Sequence, residues 1–228
     1  MSKRNVFSII ILLIIVPLTV YFGALVFKDK HYLWLSLCVA LLSCSPLFFI
    51  FERKEASSAE LSVIAVLVAI SVLGRFVFAW IPGFKPITAI TVISAIWLGK
   101  EAGFAIGALS AVISNFYFGQ GPWTPFQMLS WGLIGFFAGL LFKALQKNRI
   151  LVCVFGGLSG VAYSLTMDVW TTVWVDNTFN LSRYLASVAI AFPTTVAYAI
   201  SNVVFIWFLA KPIGNKLSRI KKKYGLFV

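Results

Sequence analysis

The stretch ELSVIAVLVAISVLGRFVFAW, residues 60–80, decides what kind of fold this chain can adopt. Its 21 residues hold one acid at the start, Glu60, and one base, Arg75. Hydrocarbon about 30 Å thick is crossed by roughly 20 mainly apolar residues rising about 1.5 Å each, so this segment reads as a membrane-spanning helix. The same reading repeats in both directions. Apolar runs bounded by charge, Gly or Pro predict helices near 5–27, 32–51, 60–80, 87–98, 102–118, 124–146, 150–175 and 184–210. Of 228 residues, 61% are hydrophobic and 11% charged, with mean hydropathy +0.96. No water-soluble domain of this size would hide so much apolar surface in one core. The fold class is therefore all-α integral membrane, with about eight crossings and no length left for a soluble catalytic domain.

The net charge of +12 follows the loops. With the N-terminus inside, fourteen cations fall on the cytoplasmic side: Lys3, Arg4, Arg53, Lys54, Lys100, Lys143, Lys147, Arg149, Lys211, Lys216, Arg219, Lys221, Lys222 and Lys223. Four fall outside: Lys28, Lys30, Lys85 and Arg183. The positive-inside rule then predicts a cell-membrane protein with both termini cytoplasmic, and the loops at 82–86 and 117–127 on the outer face. A basic nucleic-acid surface is excluded, because the cations do not line one face with interleaved aromatics. The run after Lys3 and Arg4 lacks a convincing small-x-small cleavage site and reads as a retained helix.

Three units are expected. Residues 1–58 form an added pair of plain Leu/Ile/Val/Phe helices closed by the charged linker Glu52-Arg53-Lys54-Glu55-Ala56-Ser57-Ser58. Residues 59–212 form a compact six-helix membrane domain rich in the small residues that let helix backbones approach, and 213–228 a basic cytoplasmic tail. The 87–98 segment is too short to cross unaided, so the loop Pro82-Gly83-Phe84-Lys85-Pro86 is expected to dip into the bilayer under cover of other helices.

Little in the chain supports an enzyme. No GxxxxGK[ST] occurs, so the chain does not hydrolyse ATP by itself. His31 is the single histidine, which excludes an HExxH zinc site and a Ser-His-Asp triad. Cys38, Cys44 and Cys153 lie singly in apolar segments and form no metal set. Asp168 is the unusual acid, since a carboxylate within an apolar helix faces a cavity or a partner. It either serves a ligand or gate, or pairs with Arg75 or water near the helix end. Arg75 itself either meets a ligand or counter-ion or snorkels.

The densest constellation runs from Ser114 to Met128 and combines Asn115, Tyr117, Gln120, Trp123, Thr124, Phe126 and Gln127 with glycines and prolines. Rigid turns, aromatics and neutral amides suit a large, partly apolar small molecule held by stacking and a few oriented hydrogen bonds. An interfacial aromatic belt explains the Trp and Tyr but not the three amides together. Tyr163, Trp170 and Trp174 are candidates for the opposite wall. Two small-residue stripes, Ala65 with Ala69 and Gly103 with Gly107, each offer a flat surface for another helix, with internal packing favoured for the glycines.

With those residues in view, the AxxxA stripe, the Pro-Gly-Phe-Lys-Pro loop and the run FGQGPWTPFQM at 118–128 resemble the substrate-binding S-components of energy-coupling factor (ECF) vitamin transporters. The likeness covers roughly 59–212 and is greatest to the cobalamin-type members. It implies an ABC-type importer subunit that captures a vitamin, cobalamin or a related corrinoid, at the outer face. It implies docking through Ala65 and Ala69 on a transmembrane coupling subunit driven by two ATPase subunits. ATP and Mg belong to those partners, and this chain needs no cofactor. The implied substrate-binding set is Arg75, Lys85, Asn115, Tyr117, Gln120, Trp123, Thr124, Phe126, Gln127, Asp168 and Trp170. Other readings remain: another vitamin or precursor, or a membrane enzyme or assembly factor for a lipid-like substrate. An ion-coupled secondary transporter would want paired ionisable groups at mid-membrane and an inverted repeat.

Overall fold

A computed structural model describes residues 3–27, 34, 37–39, 41–42, 58–176 and 178–226, and among them the regular structure is helical, without a strand. Helix α1 (Lys3–Ile10) passes through a π-helical stretch (Ile11–Ile15) into α2 (Val16–Phe27). There follow α3 (Ser58–Val77), α4 (Ile87–Leu98), α5 (Lys100–Phe118), α6 (Thr124–Leu140), the short α7 (Phe142–Leu145), α8 (Arg149–Asp176) and α9 (Leu181–Tyr224). Most of the predicted helix at 32–51 and most of the charged linker lie outside the described residues.

Four helices, α3, α5, α8 and α9, are long and apolar enough to cross a membrane. Together with α4 and α6 they make the six-helix unit. On α3, Ile64, Leu67, Val68, Ser71, Val72 and Arg75 recur at helical spacing and face inward. Leu61, Ala65, Val66, Ala69 and Ile70 occupy the exposed side. That side is apolar as well, as a helix solvated by lipid requires. The short α4 has a different solution, with eleven of its twelve residues buried by its neighbours. The loop before it is covered as expected: Gly83 and Pro86 are buried, and Phe78, Phe84 and Phe205 pack as a trio with centroids 4.9–5.8 Å apart. Ser201 of α9 accepts from the Lys85 amide at 2.8 Å, tying the loop to that helix.

The closest pairings are α5 with α6 and α8 with α9. Gly103 and Gly107 lie directly against the backbone of Gly135 and Trp131, where any side chain would strike a carbonyl. The glycine stripe therefore serves internal packing, as the sequence favours. Gly99, at φ 99°, joins α4 to α5 through one residue in a conformation that L side chains rarely adopt. Helix α2 packs on α6 and α8, and its Val16 and Val20 enter the same core.

Two boundaries differ from expectation. The predicted 124–146 helix breaks at Leu141, beside the point where Gly139 meets Lys100. Helix α9 runs through Pro193 and Pro212 to a left-handed Gly225 cap, so the expected tail begins inside it. Proline is tolerated in membrane helices where neighbours satisfy the freed carbonyls, and Lys221, Lys222 and Lys223 suit the negative end of the helix dipole. At about 1.5 Å per residue, the 44 residues of α9 are about 66 Å long, twice the hydrocarbon thickness.

Candidate functional site: a polar cavity at the loop end of the bundle

Arg75 occupies the last turn of α3, where the dipole favours a cation, and is only 6% exposed. Its Nη1 donates to Ser114 Oγ and, at 2.9 Å, to Asn115 Oδ1. The guanidinium lies 4.6 Å from the Phe118 ring centroid and 5.4 Å from that of Trp131. Asn115 is the junction: its Nδ2 donates to Thr124 Oγ1 at 2.9 Å and to Gln127 Oε1 at 2.8 Å. Gln127 Nε2 in turn donates to the Tyr163 hydroxyl at 3.2 Å. This chain of bonds ties α3, α5, α6 and α8 at one end of the bundle, and each link orients the next.

The network borders a cavity of about 40 Å³, lined by Arg75, Lys85, Gln127, Trp131, Tyr163 and Tyr198, with Ile87, Thr88, Gly160 and Asn202 completing it. That is room for a few waters. A vitamin-sized ligand enters only if a flanking segment moves. Tyr163 stacks on Trp131 at 4.7 Å and 15°, and Tyr198 meets Tyr163 edge-on at 5.2 Å. Trp131 is held from the other side by its Nε1 donating to Thr88 Oγ1 at 3.0 Å. Lys85, in the loop, is half-buried; burial first and the neighbouring Arg75 charge second push its ammonium below the ordinary lysine range.

The expected site residues thus divide. Arg75, Lys85 and Gln127 line the cavity, while Asn115 and Thr124 hold its wall. Thr124 also closes the turn by accepting from the Gly121 amide at 3.3 Å. Gln120 donates to the Val112 carbonyl at 2.8 Å and so serves the end of α5. Phe126 is core, 4% exposed. Tyr117 is 73% exposed and packs on Phe76 and Phe118, away from the cavity. Trp123 and Trp170 meet edge-to-face at 6.0 Å, and Trp174 stacks on Trp170 at 5.9 Å, beside the cavity rather than in it. The suggested Arg75–Asp168 ion pair does not form, because Arg75 is committed to α5. Asp168 is buried, lies outside the cavity lining, and keeps Oδ2 without a partner among the described residues.

Trp131, Tyr198, Thr88 and Asn202 were not singled out by the sequence. Trp131 had a signal, since it follows Gln127 by four residues and so shares its helix face. The others sit in α4 and α9, whose approach to the site depends on packing between distant segments.

A helical membrane bundle whose polar groups converge on an aromatic-walled cavity at one end has the architecture of a solute-binding membrane subunit. Residues 55–219 match the family described as ECF-type riboflavin transporter, S component, and the chain belongs to that family. It is a transport subunit of the ECF system, built from membrane-spanning helices. No curated protein and no solved structure matches it.

Proposed function

We propose that this chain captures a vitamin at the outer face of the cell membrane and hands it to an ATP-driven coupling module. Both termini are cytoplasmic in this reading, in line with the fourteen-to-four distribution of loop cations. Ala65 and Ala69 are exposed on α3 and form the docking stripe for the transmembrane coupling subunit, which two ATPase subunits drive with ATP and Mg. The observation that carries the reading is the Arg75–Asn115–Gln127–Tyr163 chain of hydrogen bonds along an aromatic-lined cavity.

The substrate is a flat conjugated vitamin of about flavin size. The narrow space beside stacked Trp131 and Tyr163 favours a planar ring, and riboflavin is the substrate in the family's description. A corrinoid is the second reading, supported by the likeness of the 118–128 run to cobalamin-type members; it demands a far larger opening of the same cavity.

Equilibrium binding of riboflavin, cobalamin, folate and pantothenate to the detergent-purified full chain tests this. One planar vitamin should bind selectively, and Gln127→Ala should weaken it about tenfold, the worth of one oriented hydrogen bond in a dry site. Selective cobalamin binding would replace the flavin-sized reading with the corrinoid one. Absence of binding by all four would remove the capture role.

A further inference from the structure

Two cations face the same small cavity, and no anion among the described residues lines it with them. Arg75 uses only Nη1 in hydrogen bonds; its buried Nε has no partner, and Nη2 makes no hydrogen bond among the described residues. The Lys85 ammonium has neither a hydrogen bond nor an ion pair among them, although its backbone amide is bound to Ser201. The described acids lie elsewhere. Glu101 is paired with Lys100 at 3.7 Å and Asp176 with Arg183 at 2.6 Å. Asp168 is absent from the cavity lining. Glu60 is in the first turn of α3, fifteen residues or about 22 Å before Arg75 along the helix.

Removing one cation from water is costly, and bringing a second beside it adds repulsion in a medium that screens poorly. Aromatic faces relieve part of the Arg75 charge. Among the described residues no aromatic face does the same for Lys85. The hydroxyls around the cavity are also donors in waiting: the Tyr163 oxygen accepts from Gln127, which leaves its hydrogen free, and the Tyr198 hydroxyl makes no hydrogen bond among the described residues. A guanidinium edge, an ammonium and two phenol hydrogens around one space form a donor set for an oxyanion.

Resting on the capture reading above, we propose that the captured molecule is an acidic one, its carboxylate or phosphate seated between Arg75 and Lys85, which departs from the neutral riboflavin of the family's description. The aromatic walls then hold the apolar part of the same molecule. A neutral vitamin would leave both charges uncompensated in the closed state, so the site discriminates by charge as well as by shape.

Matched pairs that differ only in the acidic group test this on the full chain in detergent: riboflavin 5′-phosphate against riboflavin, and pantothenate against panthenol, with folate, cobalamin and inorganic phosphate alongside. In at least one pair the acidic member should bind about 10- to 100-fold more tightly, the range of a charge-assisted hydrogen bond. Lys85→Gln should abolish that preference and Lys85→Arg should retain most of it, which separates a charge role from loss of fold. Arg75→Lys should retain part of it. Tight binding of neutral riboflavin or cobalamin, unchanged in Lys85→Gln, would overturn the anion inference and leave the capture reading standing. Binding of inorganic phosphate with no preference within either pair would also overturn it, since the cations would then serve a free ion. If no compound binds the parent chain, both readings fall together.

Discussion

Two stripes of small residues, four apart in sequence and alike in pattern, meet opposite fates. Gly103 and Gly107 on α5 are consumed within the chain, pressed against the backbone of Gly135 and Trp131 on α6. Ala65 and Ala69 on α3 are left exposed while Ile64, Leu67, Val68 and Val72 of the same helix are buried. In lipid there is no hydrophobic drive between helices, so close backbone approach carries the association energy, and a small stripe is an offer of contact in either setting. Burial decides whether the offer has been taken up inside the protein or remains open to a partner.

The largest effect expected from breaking this comparison is at Gly107. A leucine there must displace the Trp131 carbonyl, and with it the indole that walls the cavity. Gly107→Leu should cost at least about 3 kcal/mol and abolish recovery of a monodisperse protein in detergent. A variant that purifies and melts like the parent would mean that α5 and α6 are not held by backbone approach. The double change Ala65→Leu plus Ala69→Leu should behave oppositely. Its melting temperature and ligand binding should be unchanged, since leucine is at home facing lipid, but co-purification with the coupling and ATPase subunits should be lost. Retained complex formation would show that α3 docks through other residues.

A smaller effect is expected where the comparison reaches the site. Asn115 joins helices by hydrogen bonds as the glycines join them by contact, bridging Arg75 to Thr124 and Gln127. Asn115→Ala leaves the buried Arg75 and Thr124 and the partly buried Gln127 with one partner fewer, and should cost about 2 kcal/mol in thermal stability together with a loss of ligand affinity of about tenfold or more. Stability lost without any loss of affinity would make Asn115 a packing residue alone.

How far the sequence foretold all this follows from the same contrast between local and distant causes. Length and apolarity located α3, α4 and α5, because an uninterrupted hydrophobic run bounded by Gly, Pro or charge is a local property. The end of α9 was not legible: Pro212 signals a stop in isolation, yet the helix continues where Lys and Arg side chains suit its terminus. The break at Leu141 has no local cause either, since it sits beside the contact of Gly139 with the start of α5. At the site, Asn115, Thr124 and Gln127 were marked by polarity in an apolar setting, and they do share one network. Tyr117, Gln120 and Phe126 carry the same composition but turn to the exposed surface, to a helix end and to the core. Only packing separates the two sets, and it likewise brings Tyr198 from α9 to Tyr163.

Tryptophans give the finest version of the test, because their enrichment at membrane edges makes every one of them ambiguous in sequence. Trp34 is 69% exposed, whereas Trp123 is partly buried and meets Trp170 edge-to-face beside the turn that carries Gly121 and Thr124. An edge-to-face pair contributes about 0.5–1.5 kcal/mol beyond its burial, so Trp123→Ala should weaken substrate binding by a few-fold through a looser turn. Trp34→Ala should leave it unchanged, since that indole has no part in the described network. Titrating the same vitamin into both variants, with their melting curves as controls, measures the difference. Equal losses would mean that Trp123, like a belt residue, only anchors the protein in lipid, and that the 119–123 turn holds its shape without it.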